Sequence, residues 1–323
     1  MKKLLSILLA LTLVLSLSAF AFAETDNGDN VYDDWSPITI KKEVKLTNPG
    51  TVHPAETFNF TIGSGTVLEG NAASAPAFEP NTFTIDVGEG DGEGSTNINL
   101  PEFTDVGVYS YPVFEVPGNT AGMVYHDGET AYELVVTVIN NPDGDGFLRV
   151  LTLTDENNVK DDAFENEFSA GKLVITKKIE GNYAVYSDEF EVTVTLTSEQ
   201  GKVIKEGPIS VTGAVDDIGS VVKNEDGTVT VTFKVTDGSE VIIDNIPYDV
   251  SYEVAEESGN YTATIEGATG VIGESQTVAI TNRLDKEIQA GVNLDSLPYL
   301  LLLVGAVVGL FGFAMKRRLA GNR

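Results

Sequence analysis

Ile38-Thr39-Ile40-Lys41-Lys42-Glu43-Val44-Lys45-Leu46 alternates apolar and polar residues, and Leu173-Val174-Ile175-Thr176-Lys177-Lys178-Ile179 repeats the same phase. A period of two is the mark of a strand with one buried face. It puts Lys42 on the face of Ile38, Ile40, Val44 and Leu46, with Lys41 and Lys45 turned away. Lys177 shares its face with Leu173, Ile175 and Ile179, while Lys178 points out. Lysine is rarely buried unless paired. Two lysines at matching positions on apolar faces therefore need partners.

Those partners recur downstream in matching order. Tyr111-Pro112-Val113-Phe114-Glu115 follows Lys42, and Phe164-Glu165-Asn166 closes that half of the chain. Tyr252-Glu253-Val254-Ala255-Glu256 follows Lys177, and Ile280-Thr281-Asn282 closes the other half. A lysine on an early strand, a glutamate at the end of a Tyr-x-Val-x-Glu strand and an asparagine on the last strand are the parts of a Lys–Asn isopeptide bond. Burial disfavours charge, which lowers the pKa of lysine and raises that of glutamate. A neutral amine can attack the asparagine side-chain amide while a neutral carboxylic acid relays protons and ammonia leaves. Glu115 and Glu256 are the candidate proton relays for this autocatalytic step. It runs once per domain, so the chain is its own substrate and not a turnover enzyme.

Both ends of the chain carry apolar runs. Met1-Lys2-Lys3 precedes an apolar stretch that ends in Ala21-Phe22-Ala23. A basic start, an apolar middle and an Ala-x-Ala end make residues 1–23 a signal peptide, cleaved between Ala23 and Glu24. Residues 292–315 hold a second apolar run, followed by a basic tail, 316–323, with Lys316, Arg317 and Arg318. Its length suits a bilayer crossing, and the basic residues would stay in the cytoplasm. Everything between is expected to be secreted and displayed at the cell surface.

The formal charge is −29 and cysteine is absent. So acidic a surface repels nucleic acid and anionic lipid, which excludes both as partners. Secreted domains often use disulfides as staples; here another crosslink has that place to fill. His53 and His126 are the only histidines, with no cysteine beside them, so neither a metal nor a cofactor is expected. Acid-rich turns such as Asp143-Gly144-Asp145 read as solvated turns, since the distal glutamate of a calcium loop is missing. No Gly-x-Ser-x-Gly, phosphate-binding or dinucleotide fingerprint occurs. Trp35 and the tyrosines read as core or domain-joint packing.

Short alternating runs broken by Gly, Asn, Asp and Pro fill the middle, among them Phe58 to Ile62, Tyr132 to Ile139, Phe147 to Leu153, Phe190 to Leu196 and Thr228 to Val235. These are strand and turn signals, so the fold class is all-β. The expected order is a flexible leader at 24–36, one β-sandwich at 37–169, a second at 170–286, and a short sorting segment at 287–291. Asn166 and Lys177 stand so close that the two sandwiches should stack end to end as a stiff rod.

At this point the residues resemble a known family, the isopeptide-bonded major (backbone) pilins of Gram-positive bacteria, of the streptococcal T-antigen type. The resemblance covers nearly the whole chain. It rests on the signal peptide, on Thr39-Ile40-Lys41-Lys42 with Pro54-Ala55-Glu56-Thr57-Phe58 after it, on Gly107-Val108-Tyr109-Ser110-Tyr111 leading to Glu115, on both asparagine strands, and on the tail. It implies two tandem immunoglobulin-like (Cna-type) sandwiches, with bonds Lys42–Asn166 promoted by Glu115 and Lys177–Asn282 promoted by Glu256. It also implies a sortase substrate. Family members carry Glu-(Val/Ile)-Pro-Thr-Gly ahead of the membrane segment, whereas this chain has Glu287-Ile288-Gln289-Ala290-Gly291. By that match a sortase would cut between Ala290 and Gly291 and pass the new carboxyl to Lys160 of the next identical subunit, building a cell-wall pilus. The Gln-Ala departure puts that cut in question. Minor pilins or a host surface ligand are the further partners implied, and a singly anchored adhesin is the alternative function.

Overall fold

The structure is a computed structural model and describes residues 25–27, 30–32, 38–126, 128–129, 131–155, 159–160, 163–287 and 297–320. The signal peptide with its Ala23/Glu24 cut, Trp35 and the Gln289-Ala290-Gly291 motif lie outside the described residues.

The first half of the chain supplies β1 (Thr25–Asn27), β2 (Asn30–Tyr32), β3 (Ile38–Leu46), β4 (Glu56–Ile62), β5 (Thr66–Gly70) and β6 (Thr82–Val87). It continues with β7 (Glu93–Ile98), β8 (Gly107–Val116), β9 (Met123–Val124), β10 (Tyr132–Asn140), β11 (Phe147–Thr154) and β12 (Ala163–Phe168). One sheet runs β1-β2-β11-β10-β8-β4-β6 with β5 also on β8, and the facing sheet runs β7-β3-β12-β9. The second half supplies β13 (Ala170–Glu180), β14 (Phe190–Thr197), β15 (Ser210–Thr212), β16 (Gly219–Lys223) and β17 (Val229–Val235). After these come β18 (Glu240–Pro247), β19 (Ser251–Glu256), β20 (Thr262–Glu266), β21 (Thr269–Val271) and β22 (Ser275–Arg283). Here the sheets are β15-β18-β13-β22-β20 and β16-β17-β14-β19-β21. The fold is all-β, as the alternating runs require.

In each half the first long strand pairs in parallel with the last. On β3 and β12, Lys42 stands opposite Phe164 and Val44 opposite Asn166. On β13 and β22, Lys177 stands opposite Ile280 and Ile179 opposite Asn282. Parallel neighbours need a long connection, and the strands in between, most of them in the opposing sheet, provide it. Alternation then leaves lysine and asparagine on one face, a single pleat apart, in both halves.

That face looks inward. In the first half Ile40, Val44, Phe164 and Phe168 pack with Phe58, Phe60, Val113, Leu134 and Val136 of the other sheet. Phe164, opposite Lys42, lies 4.5 Å from Phe60 and 4.4 Å from Tyr132, ring centre to ring centre. In the second half Leu173, Ile175, Ile179 and Ile280 are buried, as are Val192, Val194, Val231 and Val254. Gly171 begins β13 where a Cβ would meet the Gly273 carbonyl oxygen at 1.9 Å, so only glycine fits that close approach.

The halves are tied by backbone. Thr120 bridges Val203 in parallel; Ala121 N–H donates to the Val203 carbonyl at 2.9 Å, and Val203 N–H donates to the Asn119 carbonyl at 2.8 Å. Asn48 Nδ2 donates to Tyr248 Oη at 2.6 Å and Val52 N–H to Asn245 Oδ1 at 2.8 Å. These four sheets form one compact unit. Gly181–Ala184 and the chain from Leu284 onward form a second. Within that unit Asn182 N–H donates to Asp285 Oδ1 at 2.9 Å, and Lys286 Nζ stands 3.9 Å from the Tyr183 ring. Its helix α1 (Leu297–Ala320) carries an apolar stretch long enough to cross a membrane, Pro298–Arg317.

Three readings are corrected. Leu46 shares the phase of Lys42 but, as the last residue of β3, is 42% exposed. Tyr183 and Tyr186 are exposed and not core, whereas Tyr109, Tyr111 and Tyr252 are buried. Tyr32, inside the stretch read as a flexible leader, is buried; its hydroxyl donates to the Phe103 carbonyl at 2.8 Å and the Arg149 guanidinium lies 3.6 Å from its ring.

Candidate functional site

Lys42 is 0% exposed, Glu115 1% and Asn166 2%, which for three such polar side chains demands mutual satisfaction. Glu115 supplies it from β8, on the opposing sheet. Lys42 Nζ donates to Glu115 Oε2 at 2.8 Å, and Asn166 Nδ2 donates to Glu115 Oε1 at 2.6 Å. One carboxyl group thus joins the amine to the amide. Desolvation lowers the Lys42 pKa, against the opposing pull of Glu115. The nitrogen stands 4.8 Å from the Phe58 ring centre.

The second set repeats the arrangement with less hydrogen bonding. The Lys177 and Glu256 side chains are fully buried, and Lys177 Nζ is hydrogen-bonded to Glu256 Oε1. Burial again lowers the lysine pKa, opposed by the bond to Glu256. Phe190 stands under this amine, 4.3 Å from ring centre to Nζ. Glu256 Oε2 and both polar atoms of the Asn282 side chain are buried without a hydrogen-bond partner. A buried orphan amide costs about 1–3 kcal/mol.

In both sets a lysine amine whose pKa burial lowers, a glutamate carboxyl and an asparagine amide share a buried interior. That combination suits amide transfer, with the carboxyl taking a proton from the amine and giving one to departing ammonia.

Sequence reading missed two kinds of participant. Phe58 and Phe190 lie on the strand after each lysine strand, in Glu56-Thr57-Phe58 and Asp188-Glu189-Phe190. An acidic residue two positions before a phenylalanine is a recurrence too common to single out alone. The backbone N–H of His126 donates to Asn166 Oδ1 at 3.3 Å, and no side-chain pattern can announce a backbone donor. The loop carrying it is anchored by Tyr125, whose hydroxyl bonds Glu56 Oε1 and accepts the Thr120 N–H at 3.1 Å. His53 has a structural part: Gly92 N–H donates to its Nε2 at 3.0 Å, which leaves Nδ1–H to donate to the Pro54 carbonyl, also at 3.0 Å. Lys160 is exposed between β11 and β12 and bridges Thr154.

Comparison with known proteins bears on the same residues. Residues 38–169 match the model of the Spy0128-like isopeptide containing domain, and residues 171–284 match a domain of unknown function. A pilin of Streptococcus pyogenes serotype M1 is 25% identical over 342 residues, covering 94% of this chain and 96% of that protein. Over residues 38–169 the chain shares the isopeptide-containing domain of these pilins. A crystal structure of the major pilin of Streptococcus pyogenes superposes with a TM-score of 0.51 at 21% identity, over 77% of this pilin and 98% of that chain, and shows a shared fold. The pilus tip adhesin Cpa of Streptococcus pyogenes is 29% identical over 139 residues, 38% of this chain but 18% of the adhesin. This pilin is a structural subunit of a pilus and not an enzyme.

Proposed function

We propose that this chain closes two Lys–Asn bonds on itself, Lys42–Asn166 and Lys177–Asn282, within two sandwiches at 37–169 and 170–286. The observation that supports this most is the buried Glu115 carboxyl, hydrogen-bonded to the Lys42 amine and to the Asn166 amide at once. Lys42 passes a proton to Glu115; the neutral Nζ adds to the side-chain amide carbon, and the bond from that carbon to Nδ2 breaks. Nδ2 leaves as ammonia with the proton that Glu115 returns, and Nζ, now an amide nitrogen, gives its surplus proton to the Glu115 carboxylate. Glu256 does the same between Lys177 and Asn282.

The apolar stretch Pro298–Arg317, with Lys316 and Arg317 at its end, supports a membrane-anchored precursor displayed at the cell surface. A sortase then cuts between Ala290 and Gly291 and joins the new carboxyl to Lys160 of the next subunit. The exposure of Lys160 between β11 and β12 suits a nucleophile that must reach a second protein. Minor pilins would join the same fibre. Surface extracts of the producing cell, separated under denaturing conditions, should give a ladder of covalent multimers, and Lys160→Arg should reduce it to monomer. A ladder unchanged in Lys160→Arg would assign the linkage to another lysine; a monomer band in the parent cell would favour single anchoring.

A further inference from the structure

The two amides differ at their oxygen. Asn166 Oδ1 receives the His126 backbone N–H at 3.3 Å, whereas Asn282 Oδ1 is buried without any partner. Resting on the crosslinking reading above, we infer that the His126 N–H is a catalytic oxyanion donor for the Lys42–Asn166 bond, and that the Lys177–Asn282 bond forms without one.

The local backbone explains why that N–H is available. β9 pairs antiparallel with β12, Met123 opposite Phe168 and Val124 opposite Glu167. The pairing stops there. Had it continued, Tyr125 would face Asn166; instead the chain leaves the sheet, and the next N–H but one turns to the asparagine side chain. Tyr125 fixes the departure point: its hydroxyl is held by Glu56 and Thr120, and its ring lies 6.3 Å from Phe58, the ring beneath the Lys42 amine. The donor and the nucleophile are thus positioned by the same packed group.

Attack of Nζ on the amide carbon forms the N–C bond and moves the carbonyl π electrons onto Oδ1. An N–H already aimed at that oxygen stabilises the charge as it develops and need not reorganise. Collapse restores the carbonyl and expels Nδ2, which takes its third hydrogen from Glu115. At the second site Asn282 Oδ1 has no donor in place, so the first site should close faster at equal lysine reactivity.

Replacing the donor without touching the side chain is the direct test. The full chain is made by cell-free synthesis with alanine at position 126 as the amide (His126→Ala), or with lactic acid there, which replaces only N–H by oxygen. Intact mass and peptide mapping at timed intervals then follow the loss of ammonia at each site. The ester should close Lys42–Asn166 more slowly than the alanine amide, on the order of a hundredfold, as expected for one lost oxyanion donor. Lys177–Asn282 should close equally fast in all three chains, which shows that folding is unharmed. An ester that closes the first bond at the alanine rate, or an alanine amide as slow as the ester, would overturn the inference while leaving the crosslink standing. A parent chain that keeps both ammonia molecules would remove the crosslink and the inference together.

Discussion

At the scale of single residues, Lys42 is a cation placed where a cation is least stable. Its folded pKa lies below the ordinary value of 10.5 because burial penalises charge more than Glu115 compensates. Between the lowered folded value and 10.5 the unfolded chain binds more protons than the folded one, so folding stability rises with pH across that window. The cost is fully present below the folded pKa and gone above 10.5. It is measurable where no bond can form: denaturant unfolding of Asn166→Ala should gain stability with rising pH relative to Asn166→Ala with Lys42→Met. A flat difference would mean that Lys42 titrates normally. The lysines, glutamates and asparagines were legible in sequence because strand phase fixes which way a side chain points. Phe58, Phe190 and the His126 N–H were not, since they approach from an opposing sheet or from a loop and share no period with the lysine strand.

At the scale of elements, the parallel pairs β3–β12 and β13–β22 carry the design. A covalent tie between first and last strands closes nearly a whole sandwich into one loop. By analogy with disulfides, closing a loop of roughly 100 residues stabilises by about 4–5 kcal/mol through the unfolded chain. Asn166→Ala should therefore lower the unfolding free energy of its half by about that amount, read by denaturant titration; a loss below about 1 kcal/mol would argue against closure at that site. Strand existence followed from alternation, but strand ends did not. Leu46 keeps the inward phase and is still exposed, at the last residue of β3. Tyr32 shows the opposite failure: an acidic, polar leader hid one aromatic anchor that docks on β11 and Phe103.

At the scale of the molecule, the halves are coupled through a short backbone bridge and a few side-chain bonds, so the joint is weaker than either core. Val203→Pro removes the N–H that donates to Asn119 and should speed hydrogen exchange at residues 119–122 by up to about tenfold, one lost bond being worth about 1.4 kcal/mol or less. Protection unchanged at the bridge would mean that side chains alone hold the joint. The most direct measurement is the intact mass of residues 24–286 beside Glu115→Ala and Glu256→Ala. The parent protein should be lighter than its sequence by two ammonia molecules, and each variant by one. A folded parent protein at its full sequence mass would contradict the account.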